Sequence, residues 1–232
     1  MQEESIFRKL LTDLKLDFKD PNLLETAFTH RSFLNESKQT IESNERLEFL
    51  GDSILSFIIS NKLYALRKGD TEGDLTNLRA FIVKTKSLSE AAKKLNLGEY
   101  LKLSKGEDIS GGRLNPQLLA NTYEALLGAV FLDQGLEVAK RMVDETLIPL
   151  YAEELKMGPP KDSKSQLQEV VQNKVKESPH YKILDTKGPD HAKKFLIGVY
   201  IQGKQIGQGS GSSKQEAEEE AAANALLVLG ET

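Results

Sequence analysis

Three carboxylates interrupt an otherwise apolar segment of the chain, residues 44–55, whose sequence is NERLEFLGDSIL. They are Glu45, Glu48 and Asp52, and in a helix their i, i+3 and i+7 spacing places them on one face. Carboxylates are rarely buried unless they are paired or bind a cation. The row therefore predicts a site for a hard divalent cation such as Mg²⁺ or Mn²⁺, which prefers oxygen ligands. The alternative is a solvated acidic face on an ordinary helix.

A second apolar segment, residues 119–133, contains an amide and a carboxylate at helical spacing. Its sequence is LANTYEALLGAVFLD, in which Asn121 stands three residues before Glu124. Two packed helices could thus bring four oxygen-bearing side chains together: Glu48, Asp52, Asn121 and Glu124. Such ligands on facing helices can form a divalent-cation site inside a helical bundle.

Each of these two segments also contains one glycine, Gly51 in the first and Gly128 in the second. A glycine inside a helix costs about 1 kcal/mol relative to alanine. A close approach of the two helices would explain this cost. The alternative is that both glycines are incidental.

The elements that must position these residues are predicted to be helices throughout residues 1–155. Asp20-Pro21 and Asn115-Pro116 each combine a helix-capping side chain with proline at the first helical position. Apolar spacing and these caps predict helices at residues 5–16, 21–28, 44–66, 74–95, 116–132 and 136–155, with loops at 35–43 and 106–113. No alternating pattern typical of a strand competes here.

The composition changes at residues 156–161, KMGPPK, whose glycine and prolines are typical of a linker. Beyond it, the pattern predicts a helix at 163–176, strands at 181–185, 195–201 and 205–208, and an alanine-rich helix at 213–229. The predicted organisation is an all-α N-terminal domain (1–155), a linker (156–161) and a small α+β domain of order α-β-β-β-α (162–232).

Composition narrows the classes of protein to which the chain could belong. The chain contains no cysteine, which excludes disulfides, thiolate metal sites and a cysteine nucleophile. Its first residues do not resemble a signal peptide, and no apolar run is long enough to cross a bilayer, so we expect a cytoplasmic protein without a membrane partner. The net charge of −4 argues weakly against nucleic acid, but it averages over faces and ignores bound metal.

Several motifs together resemble one family. NERLEFLGDS, THRS at 29–32, EGDLTNLRA at 72–80 and NTYEALLGAVFLD at 121–133 resemble the ordered blocks of the ribonuclease III family. The later segments DSKSQLQE, GPDHAKKF and GSGSSKQEAEEEAAANAL resemble a double-stranded-RNA-binding domain. The resemblance covers nearly the whole chain and is to the bacterial form with a single catalytic domain.

This resemblance implies a specific activity. Members hydrolyse phosphodiesters of double-stranded RNA, leave 5′-phosphate and 3′-hydroxyl ends, and act in rRNA and mRNA processing. It implies a homodimer and Mg²⁺, with Mn²⁺ as an alternative and no other small-molecule cofactor. It assigns metal binding to Glu48, Asp52, Asn121 and Glu124, and catalysis to Asp52 and Glu124 with Glu45 and Glu72. Glu45 and Glu72 match acidic positions that engage RNA, although each could instead be a helix-start acid favoured by the helix dipole.

Asn121 departs from the pattern, since the family has aspartate at this position. An amide oxygen can coordinate a hard cation but brings no negative charge, so metal affinity should fall. The enzyme could be active, less active, or blocked by design. The alternative function is therefore a double-stranded-RNA-binding protein with a metal centre impaired by Asn121. A third possibility, a purely structural scaffold, fits poorly with retention of the three carboxylates.

Two aromatic residues near the acids have two interpretations each. Phe49 matches a position that packs into the partner subunit, but it could be an ordinary core phenylalanine. His30 could be a general base, but a structural histidine is favoured because the metal already accounts for the chemistry.

The resemblance also identifies candidate RNA contacts in the second domain. Shape readout of A-form RNA uses 2′-hydroxyls in two minor grooves and the phosphates between them. The candidates are Ser165, Gln168 and Glu169 on the first helix, Pro189, His191, Lys193 and Lys194 in and after the strand loop, and Ser213 and Lys214 at the start of the last helix. Glutamates at 216 and 218–220 follow Lys214, and we expect three or four of the acids of this domain on the solvent face of the last helix. With so little basic charge, RNA binding should be weaker and more salt-sensitive than in a typical member.

Overall fold

The computed structural model describes residues 3–37, 41–158, 162–189 and 193–230. The chain forms two compact units, Met1–Pro159 and Pro160–Thr232. The first contains helices α1 to α10, which are Glu3–Leu14, Pro21–Ala27, Arg31–Leu34, Glu45–Leu66, Glu72–Val83, Thr85–Lys94, Lys105–Ile109, Pro116–Gln134, Leu136–Thr146 and Ala152–Met157. Three short 3-10 helices lie at Leu97–Tyr100, Gly112–Leu114 and Ile148–Tyr151.

The two cap-plus-proline predictions are confirmed. The Asp20 carboxylate accepts a hydrogen bond from the main-chain N–H of Asn22, and Pro21 begins α2. The Asn115 side chain likewise accepts from the main-chain N–H groups of Gln117 and Leu118 where α8 begins. These bonds satisfy main-chain donors that have no partner within the helix, which fixes where each helix starts.

The predicted helix at 74–95 is wrong in one respect, because it is two helices. The chain is extended at Lys84, with φ −66° and ψ 154°, between α5 and α6. The Ser87 hydroxyl donates to the main-chain oxygen of Phe81, so a carbonyl left open at the end of α5 regains a partner. This side-chain bond is an alternative to continuing the helix.

Two other predicted boundaries also change. The predicted loop 106–113 is partly helical, because the Ser104 side chain caps α7 by accepting from the main-chain N–H of Glu107. Helix α10 ends at Met157, inside the predicted linker, and residues 159–161 of that linker lie outside the described residues. Residues 38–40 of the predicted loop 35–43 also lie outside them.

The core of the first unit is built around α4 and α8. Leu55, Ile59 and Leu63 of α4 are fully buried, as are Leu126 and Leu127 of α8 and many alanines. None of the described helices combines the length and apolar character that a bilayer crossing requires. The buried face of α4 leaves its acidic residues at the edge of the core.

The second unit has the predicted order of elements. Helix α11 (Ser163–Val175) precedes strands β1 (His180–Lys187), β2 (Lys194–Ile201) and β3 (Lys204–Gly211), and α12 (Lys214–Leu229) ends it. The strands form an antiparallel sheet in the order β1-β2-β3. The outer strands are longer than predicted. A methyl group on Gly209 would lie 2.6 Å from the main-chain oxygen of Ala217, so glycine in β3 and alanine in α12 allow the helix to pack directly on the sheet.

Candidate functional site

A surface pocket of about 490 Å³ brings the predicted acidic residues together. Helix α4 contributes Glu45, Glu48 and Asp52, and α8 contributes Asn121 and Glu124. The pocket is also lined by His30, Arg31, Asn44 and Phe49. The spacing on the two helices therefore does place the oxygen-bearing side chains around one space.

Close packing of α4 on α8 makes this pocket possible. A methyl group built on Gly128 would lie 3.2 Å from the main-chain nitrogen of Gly51 and 3.2 Å from the carbonyl carbon of Leu47. Both glycines are buried where the helices cross. The prediction that they serve close helix approach is confirmed.

The carboxylates of the pocket lie close enough to disturb one another. Burial, followed by the charges of Asp52 and Glu48, raises the pKa of Glu124 to about 8. Burial, followed by the charge of Glu45, also raises the pKa of Glu48, and a hydrogen bond from Asn121 partly opposes this rise. The pocket thus crowds carboxylates together, of which Glu45 lies beside the basic side chain of Arg31 at the rim, and such crowding favours a bound cation.

Asn121 lies between Glu48 and a residue that the sequence analysis missed, Gln117. The Gln117 side-chain nitrogen, Nε2, donates to Asn121 Oδ1 over 2.7 Å. Asn121 and Glu48 line the same pocket, and Asn121 lowers the pKa of the Glu48 carboxyl. The i, i+4 spacing from Asn121 in α8 was the available pattern for finding Gln117, since such pairs face each other on a helix.

The two outer acids are placed differently. Glu45 is exposed at the rim, where its carboxylate accepts from Ser43 Oγ at 3.0 Å and lies 3.4 Å from the Arg31 guanidinium. Glu72 does not line this pocket. It begins α5, is exposed, and accepts a hydrogen bond from the Thr76 hydroxyl at 3.0 Å. Within the first unit, Glu45 but not Glu72 joins the other acids.

His30 and Asn44 hold the segment next to the acids in place. The His30 side chain caps α3 by accepting from the main-chain N–H of Ser32, and burial is the main cause of its lowered pKa. The buried Asn44 side chain donates to the main-chain oxygen of Ala27. These contacts give both residues structural roles beside the pocket, and the sequence analysis did not single out Asn44.

The side-chain oxygens of the pocket are of the type that hard divalent cations bind. Four carboxylates and the amides of Asn44 and Asn121 border the pocket, and oxygen ligands are those that Mg²⁺ and Mn²⁺ prefer. Across the described ranges, no three His, Cys, Asp or Glu side chains converge as a ready-made metal cage.

The prediction that Phe49 could be a core phenylalanine is wrong. Its side chain is 77% exposed, on the face of α4 that also carries Phe57 and Tyr64, which are 54% and 78% exposed. Exposed aromatics in a row on one helix are unusual for a surface in contact with water. An apolar pattern alone does not distinguish a core from a surface that pairs with another molecule.

In the second unit, a surface pocket brings part of the predicted RNA-binding set together. Ser165 and Gln168 of α11 and Ser213 before α12 line it, and the other lining residues are Asp162, Lys164, Gln215, Glu216 and Glu219. Glu169, Lys193, Lys194, Lys214 and Pro189 are exposed outside it. His191 lies outside the described residues.

The expectation that the glutamates of α12 lie on the solvent face is confirmed for Glu216 and Glu220, which are exposed, whereas Glu218 and Glu219 are partly buried. Each of the four also bonds to a neighbouring segment of the domain. Glu216 accepts from the main-chain N–H and hydroxyl of Ser212, at 2.8 and 2.6 Å. The remaining contacts are those of Glu218 with Lys164, Glu219 with the main-chain N–H of Ser163, and Glu220 with that of Ser210. These acids therefore anchor the ends of neighbouring elements to α12.

Comparison with known proteins agrees with this architecture. A family model described as ribonuclease-III-like matches residues 20–151, and a double-stranded RNA binding motif matches residues 163–229. Ribonuclease 3 of Pelotomaculum thermopropionicum is 47% identical over 92% of this chain and 89% of its own length. Ribonuclease 3 of Halalkalibacterium halodurans is 41% identical over 99% of this chain and 88% of its own.

A solved structure is also similar to the first unit. It is the nuclease domain of ribonuclease III from Campylobacter jejuni, 38% identical, with a TM-score of 0.59 over 63% of this chain and 99% of that one. Its title refers to flexibility in a region involved in dimer formation. A family model covers more than half of the chain and curated relatives are over 40% identical along nearly all of it, so the chain belongs to the ribonuclease III family.

Proposed function

We propose that this protein is a double-strand-specific endoribonuclease that uses Mg²⁺, with Mn²⁺ as a substitute, at the pocket between α4 and α8. The observation that carries this proposal is the meeting of Glu48, Asp52, Asn121 and Glu124 around one space. These four residues would hold the metal. The products would carry 5′-phosphate and 3′-hydroxyl ends, and the cytoplasmic substrates would be rRNA and mRNA precursors.

The carboxylates of the pocket differ in burial, and we infer different roles for them from this difference. Glu124 is the more buried carboxylate and Asp52 the more exposed one, so Asp52 would face incoming RNA. When bound, a divalent cation lowers the pKa of a water molecule and stabilises the leaving oxygen. Glu45, next to Arg31 at the rim, would meet the RNA backbone. Glu72 would engage RNA from outside this pocket.

The protein would act as a homodimer, with one site cutting each strand. The exposed aromatic row of α4, formed by Phe49, Phe57 and Tyr64, supports this proposal because pairing would remove it from water. Phe49 also lines the acidic pocket, so the proposed interface would border the catalytic centre.

The second unit would bind the duplex by shape. Ser165, Gln168 and Glu169 are exposed on α11, as 2′-hydroxyl contacts require. The exposed Pro189 would enter the next minor groove, and His191 is proposed from the sequence alone. The phosphates between the grooves would be contacted by Lys193, Lys194, Ser213 and Lys214.

A second candidate function has one observation in its favour. Asn121 is uncharged and its side-chain oxygen already accepts a hydrogen bond from Gln117. A centre weakened in this way would leave a protein that binds double-stranded RNA without cutting it.

Cleavage of a long perfect RNA duplex in Mg²⁺, Mn²⁺ or EDTA separates the two functions. The enzyme should cut only with metal and leave 5′-phosphates, and Glu124→Gln, the matched control, should bind RNA but not cut it. Asn121→Asp should change cleavage little if the centre works as it stands. Binding without cutting under every condition, followed by a large gain in Asn121→Asp, would instead establish the impaired centre.

A further inference from the structure

A hydrogen bond reaches the edge of the proposed metal centre from the surface of α8. Gln117 Nε2 donates to Asn121 Oδ1 over 2.7 Å. Gln117 is exposed near the beginning of the helix, and Asn121 is partly buried one turn further on, in the pocket that it lines with Glu48. This hydrogen bond therefore links a surface amide to a residue placed among the proposed metal ligands.

The contact with Gln117 sets the orientation of the Asn121 amide. Because Asn121 Oδ1 accepts from Gln117 Nε2, the Asn121 NH₂ group is turned the other way. Asn121 lowers the pKa of Glu48, as a donor beside a carboxylate does, which agrees with this orientation. The atom of Asn121 that could bind a metal is therefore already engaged.

We propose that Gln117 is a positioning residue that holds the Asn121 amide in this orientation, so that metal binding through Asn121 requires the amide to turn over. The inference rests on the proposed function, because it concerns the same centre. Rotation about the last side-chain torsion of asparagine is intrinsically easy. The resistance comes from the hydrogen bond with Gln117 that the turn breaks.

According to this inference, Gln117 weakens metal binding, whereas a residue that merely supports a metal ligand would strengthen it. Removing its donor should release the Asn121 oxygen and tighten metal binding. The same change should have no such effect when residue 121 is aspartate, since both oxygens of a carboxylate can accept and none has to turn. A dependence on residue 121 thus separates positioning from a general effect on folding.

The test is a four-protein cycle of the full-length chain: the unaltered protein, Gln117→Met, Asn121→Asp and the double variant. Methionine matches the length of glutamine without a donor. Its introduction leaves the Asn115 cap intact, because the cap uses main-chain N–H groups. Calorimetric titration with Mn²⁺ alone measures affinity without cleavage, and circular dichroism confirms that each protein folds.

The expected result is that Gln117→Met lowers the Kd for Mn²⁺ about twofold when residue 121 is asparagine, the size that one helix-surface hydrogen bond supports, and leaves it unchanged when residue 121 is aspartate. An equal change in both backgrounds, or weaker binding in the first, would overturn the inference while leaving the metal centre intact. Failure of all four folded proteins to bind Mn²⁺ would overturn the proposed centre and the inference together.

Discussion

Gly51 of α4 lies directly against the main chain of Glu124 in α8. A methyl group at Gly51 would lie 2.6 Å from the carbonyl carbon of Glu124, and closer still to its oxygen. Gly51, which allows the two helices to pack closely, therefore contacts the backbone of a proposed metal ligand, Glu124. Packing and chemistry are coupled at this point, because any separation of the helices also moves the carboxylate.

Gly51→Ala is therefore expected to destabilise the protein by about 3 kcal/mol, the upper end of what overpacking costs, and to abolish cleavage. Denaturant unfolding measures the first effect and duplex cleavage the second. The matched control is Gly106→Ala, since nothing lies within 4 Å of an added methyl group in α7. If the two variants proved equally stable, the close approach of Gly51 to Glu124 would not contribute to the free energy of unfolding.

The contact between α4 and α8 could be predicted from the sequence because it depends on patterns within each helix. Helical spacing placed the acids on one face, and the glycines marked the contact. The break at Lys84 was not predictable, because it depends on a hydrogen bond from Ser87 back to Phe81 within the folded turn. Propensity carries no information about that competition.

The charge of Glu124 should make the metal-free fold sensitive to pH. Its pKa rises from 4.5, an ordinary glutamate value, to about 8. Between these values the folded protein keeps a proton that the unfolded chain has lost, so stability falls as pH rises through this window and levels off above it. Glu124→Gln should remove this loss and stabilise the metal-free protein at pH 8 by about 1–2 kcal/mol after solvent screening.

Thermal unfolding in EDTA from pH 5 to pH 9 checks this expectation. Glu137→Gln, at an exposed position in α9, is the control and should keep the pH dependence of the unaltered protein. Added Mn²⁺ should stabilise the unaltered protein but not Glu124→Gln. A pH profile that Glu124→Gln leaves unchanged would mean that another group causes it.

Glu216 is expected to weaken RNA binding. Its carboxylate accepts two hydrogen bonds from Ser212 at the beginning of α12, the end of a helix that favours phosphate. Glu216→Gln removes a negative charge there and should tighten duplex binding about threefold at low salt, an advantage that shrinks as salt screens it. Electrophoretic mobility shifts at several salt concentrations measure this effect.

Two further variants complete this prediction. Glu177→Gln removes the same charge outside the pocket that contains Glu216 and should change affinity less. Lys214→Ala should weaken binding and reduce its salt dependence. Equal gains from Glu216→Gln and Glu177→Gln would show that only net charge matters.

The glutamates of α12 show what a run of acids does not reveal in sequence. Their donors include Ser163 in α11, Ser210 in β3 and Ser212 between β3 and α12. Only the fold brings these groups together. Phe49 shows a similar limit, since the same apolar pattern describes a core and an interface.

The exposed aromatic row of α4 predicts the oligomeric state. Replacing Phe57 and Tyr64 by serine should convert the proposed homodimer to monomers. Pairing would then bury less apolar surface and so stabilise the dimer less. Sedimentation velocity at several concentrations measures this change. The two substitutions should change the free energy of unfolding of a single subunit little, because both side chains are already exposed in it. Ile109→Ser, which removes an 87% exposed apolar side chain from α7, is the control and should leave the dimer unchanged. A double variant that remained dimeric would place the interface elsewhere on the nuclease unit.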